Sequence, residues 1–190
     1  MLISGLTEFL IMGSIIYALI AIPANHGYMS TLYRVSLLLT LTASTLGAVI
    51  FLSSVDVTAY HQYFTFISKH IALTTFIIGG AWSVYNSRMK RIIAGGLILV
   101  ALTSLIINIY TELSLLSMIL LVTTFAFTGF CMKSNIKSLI LLMLAVTALL
   151  STLLSGSMVK DKDLMIGIYH LCVALFYLFI TLSYKQINRI

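Results

Sequence analysis

Seven long apolar stretches occupy most of this 190-residue chain. Hydrophobic residues make up 61% of the sequence and charged residues 8%, whereas soluble domains contain about 45–50% apolar and about 25% charged residues. A helix needs roughly 20 apolar residues to cross a hydrocarbon core of about 30 Å. We therefore expect an all-α, polytopic membrane protein in which residues 1–190 form one transmembrane domain. Its seven helices are predicted near residues 2–22, 35–54, 62–83, 92–110, 113–132, 137–155 and 165–184.

Charged residues divide between the two sides that this segmentation defines. All five acidic residues fall on one side: Glu8, Asp56, Glu112, Asp161 and Asp163. Most bases fall on the other: Arg34, Arg88, Lys90, Arg91, Lys133, Lys137, Lys185 and Arg189. Short cytoplasmic loops carry such an excess of Lys and Arg. We therefore expect the N-terminus outside and the C-terminus inside, in an inner membrane of bacterial type. Residues 160–163 are predicted to form a neutral surface loop.

Polar and ionisable side chains concentrate in the third stretch, although lipid rejects them unless they face a partner or a water-filled cavity. His61, Thr65 and Ser68 share one face of a helix, which should point toward other helices. Lys69 lies about 12 Å into the helix at about 1.5 Å per residue. Its expected partner is Glu8, because this acid alone lies well inside a predicted helix.

The last stretch also carries a polar face, on which His170, Ala174, Tyr177 and Thr181 follow one another at helical spacing. Asn108, near the outer end of the fourth stretch, lies at a similar depth. We therefore expect helices one, three, four and seven to converge on an outward-facing polar pocket. Its candidate residues are Glu8, His61, Lys69, His70, Asn108, His170 and Tyr177.

A second stripe of small residues, formed by Thr40, Ser44 and Ala48, lies on the second predicted helix. Small and hydroxyl-bearing residues let membrane helices approach closely and bond to one another. We interpret this stripe as a packing surface.

Such a pocket indicates transport or binding of a small solute or a proton, since histidine changes its charge near physiological pH. A role in membrane assembly is the second non-enzymatic interpretation, in which the polar groups only hold helices together. No catalytic residue is assigned and no cofactor is expected. Haem held by His70 and His170 from facing helices is a weaker interpretation.

A metal-dependent intramembrane lipid hydrolase is the alternative from a different class. Zinc hydrolysis needs about three protein ligands and an open position for water. The available ligands are His61 and His170 with either Asp56 or Glu8. Seven helices with acids and histidines toward the outer side resemble the alkaline-ceramidase group of membrane hydrolases in architecture. Those enzymes carry a histidine pair near the last helix, whereas Ala174 stands four residues after His170 here.

Other classes of function are disfavoured by charge and cysteine placement. The net charge of +6 is spread over short loops without a base-stacking aromatic run, so nucleic acid is not an expected partner. Cys131 and Cys172 fall near opposite membrane faces, which argues against a redox pair. The expected partners are the lipid bilayer and a small solute or lipid. Assembly into an oligomer or with a partner subunit is a further alternative.

Overall fold

Apolar helices account for nearly all of the chain that the computed structural model describes, which is residues 2–21, 28–68, 99 and 135–187. The described helices are α1 (Leu2–Ala21), α2 (Tyr28–Leu52), α3 (Thr58–Ile67), α4 (Ile136–Met158) and α5 (Lys162–Ile187). Three stretches, Leu2–Ala21, Tyr33–Leu52 and Lys162–Gln186, are long and apolar enough to cross a bilayer. The all-α prediction is confirmed for this part of the chain. Apart from Leu99, the predicted segments at 92–110 and 113–132 lie outside the described residues.

Several helices begin before the apolar stretches that predicted them. Helix α2 begins at Tyr28 rather than near residue 35, so Arg34 lies inside the helix and not in a connection. Helix α3 begins at Thr58, which makes His61 helical. Hydropathy marks the end of the apolar region, whereas a helix continues until its backbone groups are capped or interrupted.

Helices α1 and α5 pack together and run in the same direction. At their starts, the backbone N–H and the hydroxyl of Ser4 both donate to Asp163, and the backbone N–H donates to Oδ1 at 3.0 Å. Toward their ends, the Lys185 ammonium lies 5.7 Å from the centroid of the Tyr17 ring. Instead of belonging to the predicted surface loop, Asp163 lies in the first turn of α5. There it satisfies free N–H groups and the positive dipole end of α1.

Helix α4 packs antiparallel to α5 through a reciprocal serine contact. The Ser138 hydroxyl donates to the Ser183 carbonyl at 3.0 Å, and the Ser183 hydroxyl donates to the Ser138 carbonyl at 2.8 Å. Asn135 caps the start of α4 by accepting from the Ser138 N–H at 3.1 Å. These bonds fix one end of the α4–α5 pair.

Helix α2 packs antiparallel to α1 and to α3. Gly47 of α2 faces Glu8 of α1 and His61 of α3. Farther along, the Ser68 hydroxyl donates to Thr40 Oγ1 at 2.9 Å. The chain from α1 to α3 therefore crosses the bundle back and forth, which places polar residues of all three helices at one depth.

The core and the two ends of the bundle differ in chemistry. Ile15, Leu142, Phe176 and Ile180 are fully buried between the helices. We call the end that holds the starts of α1, α3 and α5 the acidic end, and the opposite end the basic end. The acidic end carries Asp56, Lys160, Asp161, Lys162 and Asp163, and the described bases of the basic end are Arg34, Lys137 and Lys185.

Candidate functional site

A cavity of about 200 Å³ lies between α1, α2, α3 and α5 near the acidic end. Each molecule of liquid water occupies about 30 Å³, so this volume equals that of several waters or one small solute. Apolar side chains such as Val173 and Phe176 form part of its wall. The polar residues of the described wall are Glu8, Thr40, Ser44, His61, Thr65, Ser68, Tyr169, His170 and Tyr177.

Glu8 and His170 meet at this cavity, where Glu8 Oε1 lies 3.4 Å from His170 Nε2. Glu8 is 3% exposed and His170 is 9% exposed, so neither group is solvated as it would be on a surface. The parallel packing of α1 and α5 brings the two residues together below the Ser4–Asp163 contact, about one helical turn further along α1 and about two turns further along α5. A buried carboxyl and imidazole in contact form a pair that can hold one proton between them.

The second nitrogen of the His170 ring fixes how this proton is shared. His170 Nδ1 lies 3.3 Å from the Ser4 carbonyl oxygen and 3.3 Å from Thr7 Oγ1. A carbonyl only accepts hydrogen bonds, so the contact with Ser4 requires a hydrogen on Nδ1. Nε2 of the neutral ring then carries the lone pair, and it faces the Glu8 carboxyl.

Gly47 lets the Glu8 carboxyl lie directly against α2. A Cβ atom at this position would lie 2.9 Å from Glu8 Cδ and 3.2 Å from His61 Nε2. The carboxyl and the second imidazole therefore share the space that the missing side chain leaves. Ser44, one turn earlier on α2, places its hydroxyl in the same cavity wall as Glu8.

His61 reaches the cavity from the first turns of α3. Its Nε2 lies 3.3 Å from Thr65 Oγ1, one turn further along the same helix. The start of α3 is fixed by Asp56, whose Oδ1 accepts from the Thr58 backbone N–H at 3.1 Å. This bond from the backbone of Thr58 lowers the pKa of Asp56. Asp56 is exposed and is not part of the described cavity wall.

Hydroxyl groups line the deeper side of the cavity. The Tyr177 phenol lies 3.1 Å from Thr40 Oγ1, and Ser68 donates to the same Thr40 oxygen. Tyr177 is 4% exposed, so its hydroxyl is held inside the protein by these helices. The contact joins α2 to α5 across the cavity floor.

Four of the seven predicted pocket residues line this one cavity: Glu8, His61, His170 and Tyr177. Lys69, His70 and Asn108 lie outside the described residues, and with them the predicted Glu8–Lys69 pair. Thr40 and Ser44 were interpreted as packing residues, yet they line the cavity. The spacing of Thr40, Ser44 and Gly47, at i, i+4 and i+7, places the three residues on one face of α2 and is the sequence pattern that indicates their common position at the cavity.

The predicted metal ligands do not form a metal site in the part of the chain that the structure describes. Within it, no group of three or more His, Cys, Asp or Glu side chains is arranged to hold a metal ion. Asp56 is turned to the start of α3, and Glu8 and His170 contact each other. The haem interpretation depends on His70, which lies outside the described residues.

No known protein family, curated protein or solved structure matches this chain. The architectural resemblance to alkaline ceramidases finds no support in these comparisons. The functional interpretation therefore depends on the geometry of the cavity.

Proposed function

We propose that this protein is a seven-helix membrane protein whose cavity binds a proton together with a small polar solute. The observation that supports this function is the contact between the Glu8 carboxyl and the His170 imidazole beside the cavity. Ionisable groups inside membrane spans are costly, and they mark binding sites and proton relays in membrane proteins.

The pair holds one proton in two forms that differ by a single transfer. In one form the Glu8 carboxylic acid donates to the bare Nε2 of His170. In the other, a carboxylate accepts from the imidazolium. Both forms are neutral overall, so the transfer places no net charge in the apolar layer. The separation of 3.4 Å exceeds the usual 2.7–3.2 Å, and such contacts commonly tighten when a ligand binds.

Gain or loss of one proton leaves the pair with a net charge, which a solute can balance. The surrounding groups offer both donors and acceptors: His61 from α3, Ser44 from α2 and the Tyr177 phenol from α5. Drug-sized ligands occupy pockets of about 300–1,000 Å³. The smaller cavity here, of about 200 Å³, favours a solute of a few heavy atoms.

Seven crossings and the outward orientation belong to the same proposal. Helix α3 begins at the acidic end and α4 begins at the basic end. If the third helix completes its crossing, an even number of further crossings must precede α4, and the apolar stretches at 92–110 and 113–132 supply two. Arg34, Lys137 and Lys185 assign the basic end to the cytoplasm. The cavity then lies toward the outside of an inner membrane of bacterial type.

The pair can be tested by nitrogen NMR on protein labelled at histidine and embedded in lipid nanodiscs, with the His170 signals assigned by a His170→Asn variant. We expect Nδ1 to carry hydrogen and the titration of His170 to depend on Glu8. Glu8→Gln keeps the shape of the side chain but removes the exchangeable proton, so His170 should then titrate as an independent group. The matched control is Asp161→Asn, which alters an exposed acid at the same end and keeps a helix-capping side chain.

An unchanged His170 titration in the Glu8→Gln protein would overturn this function. The two side chains would then act only as helix-packing groups, which is the assembly role. A change of equal size in the Asp161→Asn protein would have the same consequence, because the effect would then not come from contact within the cavity.

A further inference from the structure

Buried hydroxyl groups continue from the Glu8–His170 pair toward the basic end, along the boundary between α2 and α5. We call them the hydroxyl column. Each member is at most 6% exposed. In order of depth from the pair, the column consists of Ser44, Thr40, Tyr177, Thr181 and Tyr33.

Contacts between the two helices join the column at two levels. At the cavity floor, Thr40 Oγ1 lies 3.1 Å from the Tyr177 phenol oxygen. Nearer the basic end, the Tyr33 phenol oxygen lies 3.4 Å from Thr181 Oγ1. Thr181 follows Tyr177 by one turn of α5 and donates to its carbonyl at 2.7 Å. On the side of the pair, Ser44 and Glu8 line the same cavity.

The column spans much of the apolar layer. Eleven residues of α2 separate Ser44 from Tyr33, which corresponds to about 16 Å at about 1.5 Å per residue. The hydrocarbon core is about 30 Å thick. Tyr33 directly precedes Arg34, which is partly exposed at the basic end. The column therefore extends from a cavity near one face toward the basic end.

The order of the hydroxyl groups along the two helices is the feature that separates the column from packing contacts alone. Interhelical hydrogen bonds contribute to packing wherever they form, and they need no particular order. Here the hydroxyls follow one face of each helix and begin at the one buried carboxyl of the described chain. Each hydroxyl can accept one hydrogen bond while donating another, which is the requirement for passing a proton. Thr40 and Thr181 donate to the Ser36 and Tyr177 carbonyls, so these two hydroxyls must turn to pass it on.

We propose that the hydroxyl column conducts protons between the cavity and the basic end, so that the protein moves protons across the membrane. This inference rests on the proposed function, because Glu8 and His170 load the column. Each oxygen accepts a proton from the preceding group and releases its own to the next, and nothing is oxidised or reduced. Water at the two faces supplies and removes the proton, and water bridges neighbouring oxygens that are not in direct contact.

Proteoliposomes with a trapped pH indicator and a potassium gradient test this activity when valinomycin sets the membrane potential. Wild-type protein should pass protons faster than protein-free vesicles do. Tyr177→Phe removes one column hydroxyl and keeps the ring. It should slow the flux by about tenfold, the factor that follows from a barrier raised by roughly one hydrogen bond. Tyr63→Phe is the matched control, because Tyr63 is exposed on α3 outside the cavity wall.

The His170 titration separates failure of the column from failure of the site. We expect the Tyr177→Phe protein to lose proton flux, while the titration of His170 still depends on Glu8. Thr181→Val, which keeps the side-chain shape, should also reduce the flux, and it provides a second variant if Tyr177→Phe protein does not fold. Wild-type flux at the level of empty vesicles, or normal flux in both column variants, would overturn the column and leave the proton-binding site standing.

Discussion

Replacing Gly47 by alanine probes the cavity without removing any of its polar groups. The added Cβ would lie 2.9 Å from Glu8 Cδ and 3.2 Å from His61 Nε2, whereas ordinary contacts begin at 3.4 Å. Glu8 Oε1 would lie closer still, so the carboxyl must move by more than the 0.5 Å that separates 2.9 from 3.4 Å at Cδ. Because this carbon belongs to a carboxyl already packed against His170, the change should disturb their contact.

Two opposing terms set the expected change in stability. Extra atoms in a well-packed interior cost about 1–3 kcal/mol. Alanine is favoured over glycine within a helix by about 0.8–1.0 kcal/mol. Gly13→Ala isolates the second term, since a Cβ at Gly13 meets nothing within 4 Å. The difference between the two variants should therefore be about 1–3 kcal/mol, with Gly47→Ala the less stable.

Thermal unfolding in one detergent, followed by circular dichroism, measures this difference. For a chain of this size, each kcal/mol shifts Tm by about 2–4 °C. We expect Gly13→Ala to unfold at or above the wild-type temperature and Gly47→Ala to unfold below it. The histidine NMR signals of Gly47→Ala should also shift at both His61 and His170.

Equal stability of the two glycine variants, with unchanged histidine signals, would refute the close approach of α2 to Glu8. Loss of stability without any change at His170 would place the strain on His61 alone. It would also remove Gly47 from the description of the Glu8–His170 pair.

The remaining predictions concern the contacts that hold the helices in place. Ser138→Ala and Ser183→Ala should each weaken the α4–α5 pair by about 0.6 kcal/mol, and an unaltered unfolding midpoint in the double variant would contradict this. Asp163→Ala should speed amide exchange at Ser4, because the start of α1 loses its acceptor, and unchanged exchange there would be inconsistent with that cap. The lowered pKa of Asp56 means that its support of α3 is present above the unfolded value of about 3.9 and is lost as the pH falls through the folded value. The protection factor of the Thr58 amide, which compares its exchange rate with that of an unstructured amide at the same pH, should therefore fall in acid, and pH-independent protection would argue against it.

Among the described residues, the sequence predicts the long apolar helices because a bilayer imposes a length on every span. Helix α1 ends within one residue of its predicted limit. The starts of α2 and α3 were placed too late, because polar residues at a membrane surface continue a helix without contributing to hydropathy. Helix boundaries outside the apolar layer depend on local bonds such as that from the Thr58 N–H to Asp56, which hydropathy does not detect.

The sequence names the ionisable residues of the described cavity wall, Glu8, His61 and His170, but it does not predict the contact between Glu8 and His170. Depth alone brings Glu8 and His170 to one layer, and the structure places them in contact. Depth does not choose among several polar groups in that layer, and the predicted partner of Glu8, Lys69, lies outside the described residues. The choice depends on the parallel packing of α1 and α5, which Asp163 fixes through Ser4. No periodicity in either helix encodes that contact.

The sequence identifies the hydroxyl groups of Thr40 and Ser44 but predicts only a packing role for them. Thr40 and Ser44 fit a small-residue packing stripe, and they do lie between helices. The contact of Thr40 with Tyr177 and the position of Ser44 in the same cavity wall as Glu8 depend on how α2 is rotated against α5 and α1. This rotation is a property of the assembled bundle.

Infrared difference spectra between acidic and alkaline pH test most directly whether Glu8 and His170 share a proton. Because the two groups interact, each pH midpoint of proton release should describe the pair and not either residue alone. We expect a carboxylic-acid band that is absent from the Glu8→Gln protein. In the wild-type protein, an imidazole band of His170 should change at the same pH midpoint as this carboxylic-acid band. A carboxyl band that is unaffected by Glu8→Gln, or separate midpoints for the two groups, would contradict the shared proton.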